Sequence, residues 1–147
     1  MNYIKAKNLT RILSLDYGEK RVGLAISDLM QIIAKPFKTL NNISNNNIID
    51  QLKIIIKEKS IEKIVVGLPI TLNNKESSQT KIVIQFINQL EIAVSTPVVS
   101  YDERLTSIEA KRSLVSQGIK TGHNKGAVDM TAAAIFLQNY LDEKSTI

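Results

Sequence analysis

The chain has 147 residues, close to the usual size of one domain and enough to bury a core, so we expect a single domain over residues 1–147. The absence of cysteine excludes disulfides, thiolate metal sites and cysteine nucleophiles. Without a signal sequence or an apolar run of about 20 residues, we expect a cytoplasmic protein with no membrane partner. The formal charge of +5 favours a polyanionic partner such as nucleic acid.

The first 40 residues predict three strands. Residues 11–16 form a short apolar run that ends in an acid, and residues 22–27 form a second run after a turn that contains Gly18. Two such runs around a glycine turn are typical of a β-hairpin. Residues 31–40 fit a third strand at the edge of the sheet, because Pro36 lacks a backbone donor.

The middle of the chain alternates helices with buried strands. Apolar residues recur at helical spacing over residues 45–59, which predicts the first crossover helix. Residues 64–67 are a short run rich in β-branched residues, as in a strand that is buried on both faces, and residues 97–101 predict the next strand. A second helix is predicted between them, at residues 77–90.

Two further helices are predicted in the last third of the chain. Thr106 and Glu109 have the spacing of a capping box, so a helix should cover residues 106–117 and end before Gly118. Residues 120–125 predict a polar loop, and residues 127–141 predict a last helix with one apolar face.

The connections between these elements predict the fold class. Hairpins join the first three strands, and right-handed crossovers make the first, fourth and fifth strands parallel neighbours. We therefore expect an α/β fold with a mixed five-stranded sheet in the order 3-2-1-4-5 and helices on both faces. The sequence contains no internal repeat or linker that would divide it.

Acidic residues are predicted to meet at one edge of this sheet. Asp16 ends the first strand and the Asp102-Glu103 pair follows the fifth, and the carboxyl ends of parallel strands open onto the same edge. Asp129 begins the last helix and reaches that edge if the helix packs across the sheet. Because alternate strand residues point to opposite faces, we expect only one of Asp102 and Glu103 to reach the site.

A cluster of carboxylates without cysteine or histidine favours one kind of chemistry. Phosphodiester hydrolysis needs an activated water and a positive charge near the leaving oxygen, which two divalent ions about 3.5–4 Å apart supply. Oxygen ligands suit Mg²⁺ or Mn²⁺ better than zinc. Each acid taken singly also fits a structural use in a turn or near a helix start. Asp16 fits such a use least well, because a charge at the end of an apolar strand is costly.

Basic residues in the loops near the same edge are candidates for contacts with substrate phosphates. They are Lys20, Arg21, Arg104, Lys120 and Lys125. Solvated surface charge is an equally good interpretation of each one. Tyr17 and Tyr101 flank the acids and could stack on bases, although a tyrosine at a strand end is more often part of the core. His123 has no serine nucleophile to pair with and is left out of the site.

Four segments of the chain resemble the YqgF/RuvX family of pre-16S rRNA nucleases and Holliday-junction-resolvase-like proteins. They are residues 15–28 (LDYGEKRVGLAISD), 65–69 (VVGLP), 101–110 (YDERLTSIEA) and 125–129 (KGAVD), the last continuing through the alanines at 132–134 to residues 137–141 (LQNYL). These segments occur in the family's order and span nearly the whole chain.

The resemblance implies a ribonuclease H-like fold and an acidic metal site at Asp16, Glu103 and Asp129, and so it favours Glu103 over Asp102. In such a site Asp16 would bridge two Mg²⁺ (or Mn²⁺) ions. Glu103 would hold the ion on the side of the attacking water or contact its ligands, and Asp129 would complete the other coordination sphere. The implied activity is that of a two-metal endonuclease in ribosome biogenesis.

Two segments depart from the family's pattern. Residues 70–74 read ITLNN where the family commonly has a segment resembling Asn-Met-Asp-Gly. The basic run that often precedes the last helix is reduced to residues 120–125, KTGHNK. Neither segment includes a predicted metal ligand, so the departures concern substrate contacts rather than the chemistry.

Three functions fit these residues. The first, implied by the resemblance, is a nuclease that matures the 5′ end of precursor 16S ribosomal RNA, as a monomer or weak homodimer. The second is a resolvase of four-way DNA junctions, which normally needs a symmetric dimer with two active sites. The third is a non-catalytic nucleic-acid-binding or transcription-associated factor. An actin-like ATPase is disfavoured, because such proteins clamp nucleotide between two domains and this chain supplies one.

Overall fold

The computed structural model describes residues 9–70, 77–105 and 125–145, and for residues 125–129 it describes the helical backbone alone. The described elements are β1 (Arg11–Tyr17), β2 (Arg21–Ser27), β3 (Ala34–Asn41), α1 (Asn45–Lys59), β4 (Ile61–Leu68), α2 (Ser78–Ala93), β5 (Val98–Asp102), a 3₁₀ turn (Glu103–Leu105) and α3 (Lys125–Ser145). The helix predicted at residues 106–117 and the loop predicted from residue 120 lie outside the described residues.

The five strands form one sheet in the order β3-β2-β1-β4-β5, so the predicted order is confirmed. β2 is antiparallel to β1 and to β3, whereas β4 is parallel to β1 and to β5. The carboxyl ends of β1, β4 and β5 therefore share one edge of the sheet, which we call the carboxyl edge.

Helices cover both faces of the sheet, as predicted. α1 and α2 pack their apolar sides against one face, in a core that includes Leu13, Leu15, Leu52 and Phe86. α3 packs against the other face, where Ile12, Val65, Ala133, Phe136 and Leu137 are buried together. None of the helices in the described ranges combines the length and the apolar character needed to cross a membrane.

Capping side chains fix the ends of α1, whose bounds match the prediction. The Ser44 side chain accepts a hydrogen bond from the backbone N–H of Asn47 at 3.1 Å. At the other end Ser60 adopts a left-handed conformation with φ of 55°, and its N–H donates to the carbonyl of Ile56. These contacts satisfy backbone groups that have no partner within the helix.

Several other boundaries differ from the prediction. β3 begins at Ala34 rather than residue 31, because the Asp28 carboxylate accepts the N–H groups of Ile32 and Ile33 at 2.7 and 2.9 Å and holds that stretch as a loop. β4 begins at Ile61 rather than residue 64, since the Ile61 side chain is buried and its backbone pairs with β1. α2 and α3 extend a few residues beyond their predicted ends.

Candidate active site

The register of the sheet places three residues side by side at the carboxyl edge. Leu15 of β1 pairs with Val66 of β4, and Gly67 pairs with Tyr101 of β5, so Asp16, Gly67 and Tyr101 form one row. This row faces α3, because Ser14, two residues before Asp16, donates from its Oγ to the carbonyl of Ala133 at 2.9 Å. Asp16 is thus directed to the α3 face, where it is half-buried.

Gly67 leaves an opening in this row that the Glu103 side chain fills. A Cβ added to Gly67 would lie 2.6 Å from Glu103 Oε1 and 2.7 Å from Cε2 of Phe136. Glu103 follows the end of β5 and begins the 3₁₀ turn, so its side chain folds back over β4. The absence of a side chain at residue 67 therefore allows the Glu103 carboxyl group to reach Asp16.

The Asp16 and Glu103 carboxyl groups are joined by a hydrogen bond. Burial raises the pKa of Glu103, the bond to Asp16 opposes that rise, and the charge of Asp102 adds to it. Two ionised carboxylates repel each other, so a proton or a cation between them is what makes such an approach favourable. This donor pair fits a divalent cation with oxygen ligands.

Asp102, the alternative to Glu103, is held by its own turn. Arg104 Nη2 lies 2.7 Å from Asp102 Oδ2, and the Arg104 backbone N–H donates to Oδ1 at 2.9 Å. The Arg104 side chain holds the pKa of Asp102 below its ordinary value, although burial opposes this. Glu103, rather than Asp102, is thus the acid of this pair that contacts Asp16.

The backbone of Asp129 lies near the same edge. The N–H of Ala34, which lies across the sheet at the level of Ile12, donates to Gln138 Oε1 of α3. Further along β1, Ser14 contacts Ala133, which comes earlier in α3. The helix α3 therefore runs opposite to β1. Asp129 is one turn before Ala133, about 6 Å further along the helix, and Asp16 lies about 6.6 Å beyond Ser14 along its strand. The two backbones therefore reach a similar level, whereas the Asp129 side chain lies outside the described residues.

The described side chains supply two of the three predicted metal ligands. Within residues 9–70, 77–105 and 130–145, no group of three acidic, histidine or cysteine side chains is close enough to hold one metal ion. The predicted site depends on Asp129 as well as on Asp16 and Glu103. Its composition stays a prediction.

The basic residues predicted to bind substrate fall into three groups. Lys20 and Arg21 line an open hollow of about 310 Å³ with Gly18, Glu19 and Gln79, next to the end of β1. Arg104 is half of the ion pair with Asp102. Lys125 is the first residue of α3, and its side chain, like Lys120 and His123, lies outside the described residues.

Both tyrosines that flank the acids belong to the core. Tyr17 packs on Phe86 with ring centroids 4.5 Å apart, and its hydroxyl contacts Asn45. Tyr101 stacks on Phe136 at 6.2 Å and is likewise buried. Of the two interpretations weighed for these residues, the structure supports packing rather than base stacking.

Sequence reasoning did not single out Gly67 or Asn139, which shape the surroundings of Glu103. Gly67 had a visible signal, because a glycine inside a buried strand often marks the close approach of another group. No such signal marks the buried position of Asn139 in the sequence, since a polar residue on the last helix could equally well face solvent.

Comparisons with known proteins agree on one family. The model of the RuvX family, described as Holliday junction resolvase, matches residues 10–143. Proteins provisionally named pre-16S rRNA nuclease from Chloroflexus aurantiacus and Clostridioides difficile are each 41% identical to the chain. The matches cover 90% of this chain and 87% of the first relative, and 91% of this chain and 95% of the second.

Solved structures agree on the fold. RuvC of Thermus thermophilus, in complex with a Holliday junction substrate, matches with a TM-score of 0.62 at 12% identity, covering 93% of this chain and 96% of that chain. A fowlpox virus resolvase in complex with Holliday junction DNA matches with a TM-score of 0.59 at 12% identity, covering 93% and 100%. These neighbours have the ribonuclease H-like fold, so that prediction is confirmed.

Proposed function

The chain belongs to the RuvX family, and from this membership and the geometry of the carboxyl edge we propose that it is a metal-dependent endonuclease acting on precursor 16S ribosomal RNA. The observation that carries the proposal is the contact between the Asp16 and Glu103 carboxyl groups. A nuclease of this class hydrolyses phosphodiester bonds, and its acids meet where α/β folds bind ligands.

Asp16, Glu103 and Asp129 would hold the divalent ions, Mg²⁺ or Mn²⁺. A pair of such ions supplies an activated water and neutralises negative charge that develops on the leaving oxygen. The chain's own part is to fix the ligands. Gly67 and Phe136 determine where the Glu103 carboxylate lies, and the β1–β4 register determines where Asp16 lies.

Basic residues at the edge would hold the substrate backbone. Lys20 lies in the turn after β1, Arg21 is the first residue of β2, and Lys125 is the first residue of α3. The Arg104 side chain binds the Asp102 carboxylate. Because Arg104 follows Glu103 directly in the chain, Arg104 also lies where it could contact a substrate phosphate. The net charge of +5 strengthens attraction to any nucleic acid.

The relatives' provisional name favours ribosomal RNA as the substrate, and the family description favours a four-way DNA junction as the second candidate. The two differ in the assembly they need, because symmetric junction cleavage requires two active sites in a dimer. We favour the RNA substrate and a monomer or weak homodimer in the cytoplasm, where ribosomal RNA is matured.

The test is cleavage of a precursor 16S RNA fragment and a synthetic four-way junction, side by side, with Mg²⁺, Mn²⁺ or EDTA. We expect the wild type to cut the RNA with either metal and Asp16→Asn to bind it without cutting. Symmetric nicking of the junction alone would favour the resolvase. Binding of either substrate without any metal-dependent cutting would favour a non-catalytic factor and overturn the proposal.

A further inference from the structure

The turn that carries Glu103 is too short to be stabilised by its own backbone hydrogen bonds. It has three residues, Glu103–Leu105, and follows directly on the five-residue edge strand β5. Edge strands and single turns open more easily than central elements, because few backbone hydrogen bonds fix them. The position of the Glu103 carboxylate therefore depends on side chains that join this turn to the rest of the fold.

Asn139 of α3 makes such a connection. Its side-chain amide donates to the backbone carbonyl of Leu105, the last residue of the turn, at 3.0 Å. The same nitrogen contacts the Tyr101 hydroxyl on β5 and lies 3.1 Å from Glu143 Oε1. The Asn139 side chain is 5% exposed, so these bonds form where water competes little.

The amide nitrogen has two hydrogens for the three acceptors found among the described residues, so the acceptors share them. The Tyr101 hydroxyl reduces this competition, because it donates its own hydrogen to Glu143 Oε1 at 3.1 Å. Among the three contacts, only the bond to Leu105 reaches the turn that carries Glu103. That bond joins α3 to the end of the turn that carries the predicted metal ligand.

Phe136 holds the other end of the same turn. It lies three residues before Asn139 on α3, so both side chains lie on the same side of the helix. The Phe136 ring packs beside the Glu103 carboxylate over Gly67. α3 thus places Phe136 beside the Glu103 carboxylate and binds the end of the turn through Asn139.

We propose that Asn139 is a positioning residue of the active site, whose amide holds the Glu103 turn against α3 and keeps the carboxylate beside Asp16. The expected effect on catalysis depends on the proposed function. The bond between Asn139 and the Glu103 turn does not depend on it. Asn139 contacts neither substrate nor metal in this scheme and acts through the Leu105 carbonyl.

The test compares Asn139→Leu, which removes the amide at similar volume, with Tyr101→Phe, which removes a hydroxyl from the same cluster but keeps the Leu105 bond. Hydrogen–deuterium exchange of residues 98–105 measures the turn. Calorimetric titration with Mg²⁺ measures the metal site, and kcat and KM on the RNA fragment measure catalysis. If Asn139→Leu does not fold, Asn139→Ala replaces it, because it also removes the amide donor and adds no charge beside Glu143.

We expect Asn139→Leu to speed exchange in the turn, to weaken Mg²⁺ binding about tenfold and to lower kcat similarly, with KM for RNA within about twofold of wild type. Tyr101→Phe should stay within about twofold in each assay. Lower thermal stability with unchanged turn exchange and unchanged Mg²⁺ affinity would overturn the inference. A wild type that neither binds Mg²⁺ nor cuts RNA would refute the proposed function instead, and exchange alone would then decide whether the amide holds the turn.

Discussion

Among single residues, Gly67 matters because its missing side chain makes room for the Glu103 carboxyl group beside Asp16. Glu103 reaches Asp16 because β4 has no Cβ at residue 67, where one would lie 2.6 Å from the Glu103 carboxylate. Asp102, the neighbouring acid, is turned away by its ion pair with Arg104. Packing at Gly67 and the Asp102–Arg104 ion pair therefore decide which of the two adjacent acids reaches Asp16. The alternation of side chains along a strand predicted only that one of them would.

Gly67→Ala should displace the Glu103 carboxylate and lower cleavage about 100-fold, since small misplacements of reacting groups are costly. Overpacking against Phe136 should also reduce the free energy of unfolding by about 1–3 kcal/mol. Urea unfolding and initial cleavage rates on the RNA fragment measure the two effects. Ser100→Ala, at an exposed position of β5, is the control and should change neither. Full activity in Gly67→Ala would mean that Glu103 does not need this opening.

At the scale of elements, the connection between β2 and β3 shows why one strand boundary was missed. The third strand was predicted to begin at residue 31, yet the N–H groups of Ile32 and Ile33 bind the Asp28 carboxylate. Gln138 of α3 adds to this arrangement by donating to the Ile32 carbonyl at 2.9 Å. A side chain thus takes the backbone donors that a strand would have used.

Asp28→Asn should destabilise this loop, because an amide offers one acceptor oxygen where the carboxylate offers two. Burial alone would raise the pKa of Asp28, but the N–H groups of Ile33, Ile32 and Met30 outweigh it and hold the pKa below the ordinary value of 3.8. The stabilisation is therefore present above pH 3.8 and is lost as the pH falls through the lower folded-state pKa.

We expect Asp28→Asn to lower the free energy of unfolding by about 1 kcal/mol at pH 7 and by less below pH 4. Chemical unfolding across this pH range measures the difference. Asp50→Asn, an exposed change on α1, is the matched control. A deficit that stays constant down to acid pH would show that the carboxylate charge is not what stabilises the loop.

At the scale of the whole molecule, the net charge of +5 should make RNA binding sensitive to salt. Each phosphate contact with single-stranded RNA adds about 0.7 to the slope of log affinity against log salt. Lys20→Ala and Arg21→Ala should each lower the slope by about that amount. Fluorescence polarisation with Asp16→Asn, which should not cut the RNA, measures it. Lys57→Ala near the far end of α1 should leave the slope unchanged, and equal effects of all three changes would indicate diffuse attraction without a binding edge.

The whole fold was more predictable than the site. Periodic apolar runs, glycine turns and the handedness of crossovers are local or general features, and they predicted the sheet order and the faces covered by helices. The positions of Asp16, the Asp102-Glu103 pair and Asp129 at strand ends and at the start of the last helix predicted an acidic cluster, and the resemblance chose Glu103 over Asp102. The contact of Asn139 with Leu105 joins residues 34 positions apart, and no local pattern encodes it. The packing of Glu103 over Gly67 depends likewise on the register between β4 and β5.

We propose the joint action of Asp16 and Glu103 in metal-dependent cleavage. Its most direct test is single-turnover cleavage of the precursor 16S RNA fragment in Mg²⁺ by Asp16→Asn, Glu103→Gln and Asp102→Asn, with folding checked by circular dichroism. We predict that the first two lose activity by on the order of 100-fold or more, whereas Asp102→Asn stays within about tenfold of wild type. Cleavage retained by Glu103→Gln and lost by Asp102→Asn would refute this joint action, because the acid that pairs with Arg104 would then be the one that acts.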